Sequence, residues 1–229
     1  LNDEDSRIPT SQIKTMCYAT STDGIHWKKP NVGQFAFQGS KANNIVMASS
    51  REQLRSLPTL FTYGAIKTPW DPDRSRLYKT CFYERPPGVA YMSGRDGVWS
   101  ATSPDGIRWN KSKMLVMPAM GDTVGFFYDS IHKRYVCFGK RYTDRGRSRF
   151  QSESNDFVHW TKPRLILKTD HQDDQPCDLY NNTAFVWGEL LLGWLQVFYQ
   201  HEDPDKHRLV LELIYSRDGL NWKRMPGRK

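Results

Sequence analysis

One seven-residue phrase constrains this chain more than anything else. It reads STDGIHW at Ser21 to Trp27, SPDGIRW at Ser103 to Trp109, SNDFVHW at Ser154 to Trp160 and SRDGLNW at Ser216 to Trp222. The shared pattern is Ser, any residue, Asp, Gly or Phe, an aliphatic residue, any residue, Trp. A phrase written four times marks a repeated structural unit. The Trp residues stand 82, 51 and 62 positions apart, so the unit holds about 50 residues with loops of variable length.

The stretch from Asp122 to Leu167 shows what the unit contains. TVGFFYD reads as a strand, SIHK as a turn, RYVCFGKRY as a second strand and TDRG as a second turn. RSRFQSES reads as a third strand, and VHWTKPRLIL, after the repeated turn, as a fourth. Four short antiparallel strands joined by tight polar turns make a meander. The same parse fits 58–115 and 178–226. The expectation is an all-β chain forming a β-propeller of four-stranded antiparallel blades. The blades are placed at 58–115, 120–168 and 175–226, with a partial blade in 1–57. The repeated phrase is then the turn between the third and fourth strands. Asp caps it, Gly takes a positive φ, and Trp packs between blades. Asp23, Asp105, Asp156 and Asp218 are thus scaffold residues.

A propeller of so few blades leaves open edges. The expectation is a piece of a longer protein, or a chain that pairs with another copy. The opening LNDEDSR has no initiator Met, which implies a removed leader or more. The compartment is left open, with an extracellular or periplasmic setting favoured. No apolar run reaches the roughly 18 residues of a membrane span, and LLLGWLQVFY reads as a buried strand that packs Trp194 inside. Cys17, Cys81 and Cys137 lie in strand-like apolar runs, and no cysteine pair has CxxC spacing. Buried free thiols are expected for the four cysteines, with one disulfide as the alternative.

The net charge is +8. Spread surface charge is one explanation, and an anionic partner is the other. The densest basic stretch, Lys140 to Arg149, contains an Asp and no nucleic-acid motif. A nucleic-acid partner is therefore ranked low.

SNDFVHW, with YATSTDGIHWKKPNVG, resembles the five-bladed β-propeller glycoside hydrolases. That group includes arabinanases and xylosidases, invertases and levanases, and mannoside phosphorylases. The resemblance runs from about residue 14 to residue 225. It implies a funnel on the propeller axis, with carboxylates projecting from the innermost strand of successive blades. One carboxyl group would protonate the glycosidic oxygen, and another would activate water or attack the sugar.

Acids at the mouths of first strands are therefore the catalytic candidates. Asp122 opens one blade, beside a Gly that would let a ligand approach, and Asp178 opens the next. Asp174 is the reserve, and Asp173 reads as a solvated loop charge. Asp122 could instead cap a loop, and Asp178 could bind local amides after Pro176. Candidate substrate contacts are Tyr180, Arg55, Arg147, Arg149, His171 and Trp70. Arg147 and Arg149, two apart on a strand, point to one face. The expected substrate is an oligo- or polysaccharide, acidic if the basic surplus is used. No cofactor is expected, and no metal ligand set is visible. The resemblance allows a divalent ion on the axis. One departure stands out. The family's general-acid Glu has no counterpart here, since Glu84, Glu153 and Glu189 lie elsewhere on their strands. A sugar-binding propeller without catalysis is therefore the alternative.

Overall fold

The computed structural model describes residues 14–48, 60–62, 64–86, 88–173 and 176–227. Arg55 and Asp174 lie outside them. The described residues form four antiparallel sheets. The first pairs β1 (Thr15–Cys17) with β2 (Ile45–Ala48). The second runs β3 (Leu60–Thr62), β5 (Tyr78–Glu84), β6 (Gly97–Ser103), β7 (Asn110–Pro118), with β4 (Ile66–Lys67) also on β5. The third runs β8 (Gly125–Asp129), β9 (Arg134–Thr143), β10 (Gly146–Ser154), β11 (Arg164–Leu167). The fourth runs β12 (Cys177–Asn182), β14 (Leu190–Tyr199), β15 (Arg208–Ser216), β16 (Lys223–Arg224), with β13 (Phe185–Trp187) also on β14. Among the described residues no helix is long and apolar enough to cross a membrane.

Each pair of successive sheets shares an apolar core. Met47, Leu60, Phe82 and Ala101 fill the first gap. Cys81, Val98, Met117, Tyr135 and Phe157 fill the second. Phe138, Leu179, Leu195, Ile214 and Trp222 fill the third. Sheets packed face to face in chain order, the last three each a meander from its inner to its outer strand, are propeller architecture.

The repeated turn is one hydrogen-bonded design used four times. The Asp23, Asp105, Asp156 and Asp218 Oδ1 atoms each accept two backbone N–H groups, from the residues two and three positions on, at 2.7–2.9 Å. The preceding Ser hydroxyl donates to the same oxygen in every copy. The side chain three positions on then bonds Oδ2: His26, Arg108, His159 or Asn221. Asp129 builds the same cap with Ile131 and His132 on the inner hairpin of the third sheet. Gly24, Gly106 and Gly219 take φ of +75, +77 and +64°. Phe157 occupies that left-handed position in the remaining copy, SNDFVHW, at φ 64°. It does so while buried among Tyr135, Phe126 and Trp160.

Neighbouring sheets hold these turns in place. The Arg76 guanidinium, from the second sheet, donates to the Asp156 carbonyl at 2.6 Å. Arg134, from the third, donates to the Asp218 carbonyl at 2.5 Å. Gln151 adds a bond to the Gly219 carbonyl at 2.7 Å and accepts from the Trp222 indole at 2.7 Å.

Four local expectations change. The outer strand of the third sheet begins only at Arg164. Pro163 has no N–H to give the ladder, so the stretch after Trp160 makes one backbone bond, Thr161 to Glu153, and then leaves the sheet. Cys17 is exposed, while Cys81, Cys137 and Cys177 are buried, and all four are free. Trp27 is 62% exposed and Trp194 48% exposed, so neither packs as the sequence suggests. Asp173 is buried, not solvated, and is gripped by both terminal nitrogens of Arg224 at 2.5 and 2.7 Å.

Candidate active site

Asp122 lies just ahead of β8, and Asp178 lies on β12, the inner strand of the next sheet. The two inner segments meet directly, since the Thr123 hydroxyl donates to the Tyr180 carbonyl at 2.8 Å. Around this junction a continuous stack of side chains joins the two carboxylates. The Lys140 ammonium contacts Asp122 Oδ1 at 2.7 Å and lies 3.9 Å from the centre of the Tyr180 ring. The Arg147 guanidinium lies 5.4 Å from the centres of both the Tyr180 and Tyr142 rings. Arg147 also reaches Asp178 twice: its backbone N–H donates to Oδ1 at 2.8 Å, and its guanidinium lies 3.6 Å from Oδ2.

Local sequence explains the placement. β9 and β10 form a tight hairpin, and Gly146 at its turn takes φ +80°. A side chain at Gly146 would meet Asp178 Oδ1 at 2.8 Å, so glycine there lets β12 approach. Arg147 and Arg149 share a face, as their spacing predicts. Arg149 is fully buried beneath the stack. It donates to Asn182 at 2.6 Å, to Thr123 at 3.0 Å and to the Tyr180 carbonyl at 3.0 Å. It is a structural strut out of a ligand's reach. Gly121 makes room for protein groups and not for ligand: a Cβ there would meet the Tyr91 hydroxyl at 2.3 Å and Lys140 Cε at 2.9 Å.

Donors converge on both carboxylates. Asp122 accepts from Lys140 and from the Tyr91 hydroxyl, the latter at 3.2 Å. Asp178 Oδ2 accepts from the Gln200 amide at 2.7 Å. Burial lowers the Lys140 pKa against the pull of Asp122. Burial, and then the charge of Asp122, pushes the Tyr91 and Tyr180 hydroxyls up. A cleft of about 420 Å³ opens beside Asp178, lined by Asp144, Arg145, Thr169, Asp170 and Gln200 among others. A second cavity, of about 440 Å³ between the first two sheets, has no carboxylate in its lining.

The structure thus brings Asp122, Asp178, Tyr180, Arg147 and Arg149 together. Tyr180 already carries Lys140 over its ring, which leaves less of it for a sugar to stack on. His171 sits exposed on a turn. Trp70 packs on Tyr128, 4.7 Å between ring centres, at the far end of β8 and away from the stack. Lys140, Tyr91, Tyr142 and Gln200 are the partners of this junction that sequence reasoning did not single out. Lys140 carried one usable signal: it is a charge inside the apolar run of β9. Among the described residues no group of three or more His, Cys, Asp or Glu could hold a metal ion. Asp122 and Asp178 each face a cation of the chain, Lys140 and Arg147 respectively. The basic stretch Lys140 to Arg149 is no open patch, because Lys140 and Arg149 are buried and Arg147 is engaged.

No protein-family model and no curated protein sequence matches the chain. Solved structures do. A thermostable family-43 glycoside hydrolase aligns over 92% of this chain and 64% of its own, with a TM-score of 0.60 and 10% identity. An endo-arabinase from Bacteroides thetaiotaomicron aligns over 82% of this chain and 69% of its own, with a TM-score of 0.55 and 10% identity. An N-acetylgalactosamine deacetylase from F. plautii, solved with blood group B trisaccharide, aligns over 90% of this chain and 59% of its own, with a TM-score of 0.53 and 16% identity. The chain spans about three fifths of the length of the first and third of these. By architecture, then, it is an all-β propeller of the kind found in these solved structures.

Proposed function

We propose that the chain is glycosidase-like and that its sugar site lies at the Asp122 and Asp178 junction. The observation that carries this reading is the shared stack. Carboxylates from two successive inner segments are tied through Lys140, Tyr180 and Arg147 into one rigid wall. Glycoside cleavage needs two carboxyl groups on either side of the scissile bond. Asp122 takes the part of base or nucleophile. Its partners are both donors, which suits a carboxylate acting as an acceptor. Arg147, part-exposed beside the cleft, would orient sugar hydroxyls or a sugar carboxylate. The fold neighbours support a carbohydrate ligand: one is a family-43 glycoside hydrolase, another an endo-arabinase.

One observation favours a second reading, sugar binding without cleavage. Asp178 spends both oxygens on Arg147 and Gln200, so it is arranged to accept hydrogen bonds and not to deliver a proton. A glycan panel separates the two readings. Reducing-sugar release from one glycan, lost in Asp122→Asn with an unchanged circular dichroism spectrum, supports cleavage. Glycan binding that survives Asp122→Asn, with no release from any member, supports binding alone. Full turnover in a folded Asp122→Asn protein ends the role given to Asp122.

A further inference from the structure

Three cations reach the junction, and they are not used alike. The Lys140 ammonium is engaged by Asp122 at 2.7 Å. Arg149 is buried and donates to Asn182, Thr123 and the Tyr180 carbonyl. Arg147 differs from both. Its Nε donates to the Tyr142 hydroxyl at 3.0 Å, and its guanidinium packs 5.4 Å from the centres of the Tyr142 and Tyr180 rings. Among the described residues its two terminal nitrogens make no hydrogen bond. The one carboxylate near them, Asp178, has Oδ2 at 3.6 Å, too far for such a bond. Asp178 is satisfied without them: Oδ1 accepts the Arg147 backbone N–H and Oδ2 the Gln200 amide. The guanidinium is thus held in place by two rings, a hydroxyl and its own strand, with 26% of the side chain exposed and its donor fork unfilled.

We propose that this fork receives a carboxylate, and that the sugar bound at the junction is a uronic acid. The inference rests on the sugar reading given above and names its ligand class. A guanidinium offers two parallel N–H donors in one plane, which match the two oxygens of a carboxylate. Rings against the guanidinium leave its edge as the binding surface. Holding the fork rigid before the ligand arrives removes the ordering cost that a free arginine would carry. The cleft beside Asp178 sets the rest of the ligand. Its lining includes Asp144, Asp170, Thr169 and Gln200. Carboxylate walls accept from sugar hydroxyls and repel further anions. A polyhydroxyl ring with one carboxylate fits both surfaces, and a densely sulfated chain does not. Asp144 and Arg145, adjacent on the hairpin turn, offset each other in charge.

Calorimetric titration of the 229-residue chain tests this. The probes are disaccharides bearing a single glucuronate or galacturonate, the methyl ester of each, the neutral hexose counterparts and a monosulfated analogue. The ester keeps the shape and removes the charge. One acid should bind at least about tenfold more tightly than its ester, the scale of one charge-assisted hydrogen bond. Arg147→Gln should bring the acid down to the level of the ester, and Arg147→Lys, a point charge without the fork, should fall between. If Arg147→Gln does not fold, the comparison of acid with ester on the unmodified chain decides. Equal binding of acid and ester, or a preference for the neutral or sulfated member, overturns the proposal and leaves the sugar reading standing. A folded Arg147→Gln protein with an undiminished preference for the acid also overturns it. Binding of no member overturns the proposal together with the sugar reading.

Discussion

Replacing Phe157 with glycine and with alanine separates two opposing terms in one residue. Phe157 fills the left-handed position that glycine holds in the other three turns, at φ 64°. A residue with a Cβ pays roughly 1–2 kcal/mol for that conformation. The ring offsets the cost by burial. Only 3% of Phe157 is exposed, and its ring centre stands 5.1 Å from Tyr135, 5.5 Å from Trp160 and 5.6 Å from Phe126. Truncating a buried Phe to Ala costs about 3–5 kcal/mol. Phe157→Ala therefore loses the ring and keeps the strain, for a destabilisation of about 4 kcal/mol. Phe157→Gly loses the ring and releases the strain, for about 3 kcal/mol. At an ordinary buried site glycine would be the worse of the two by about 0.5–1 kcal/mol. The structure demands the reverse order. Urea unfolding followed by tryptophan fluorescence measures both, and equal slopes would show that both report the same transition. Phe157→Ala proving as stable as Phe157→Gly, or more so, would refute the claim that this turn stores strain for the sake of the core.

Other expectations follow from individual contacts. The Asn221 N–H, and then the Leu220 N–H, hold the Asp218 carboxyl below its ordinary value. Its contribution to stability is thus fully present above about pH 4 and lost as pH falls through the lower folded value. Acid titration of unfolding free energy should show a slope below about pH 4 that Asp218→Asn flattens; an unchanged slope would remove Asp218 from the acid response. Cys17 is the one exposed thiol, while burial pushes the Cys177 thiol up to about 12. A thiol reagent should therefore label one cysteine in the folded chain and four in denaturant, and a second fast-labelling thiol would contradict the packing of the sheets. Lys140→Met removes the ammonium from Asp122 and should cut any sugar turnover at least about tenfold, roughly 1.4 kcal/mol of barrier. Lys140→Arg should retain more activity than Lys140→Met, and equal losses would argue against a charge role.

The sequence exposes the fold because its turn chemistry is local. Ser, Asp and the next few amides satisfy one another within five residues, so Asp23, Asp105, Asp156 and Asp218 can be read without knowing what surrounds them. Asp122 and Asp178 stand out as candidates for a related reason, since acids at strand mouths contrast with apolar runs. Their partners are hidden because they are distant in sequence: Tyr91 reaches Asp122 across 31 positions and Arg147 reaches Asp178 across 31. Face coverage is hidden too. The run LLLGWLQVFY announces a strand apolar on both sides, and the sequence holds no signal that only one side is covered. Trp194 is misread for that reason. Pro163 carried the signal for the late start of β11, but the strong phrase beside it outweighed it.

The arginine bonds between sheets have a direction. Arg76 and Arg134 each reach forward, from one sheet to the turn carbonyl of the sheet after it. The second and third sheets therefore each latch the outer turn of their successor, while the fourth sheet's turn answers with the Trp222 indole on Gln151. Through the arginine bonds, damage should travel forward. Loosening the second sheet frees the turn of the third, and loosening the third frees the turn of the fourth, while the reverse order leaves the earlier turns latched. Hydrogen exchange after Arg76→Ala should show this as faster exchange around Asp156, with no change around Asp105.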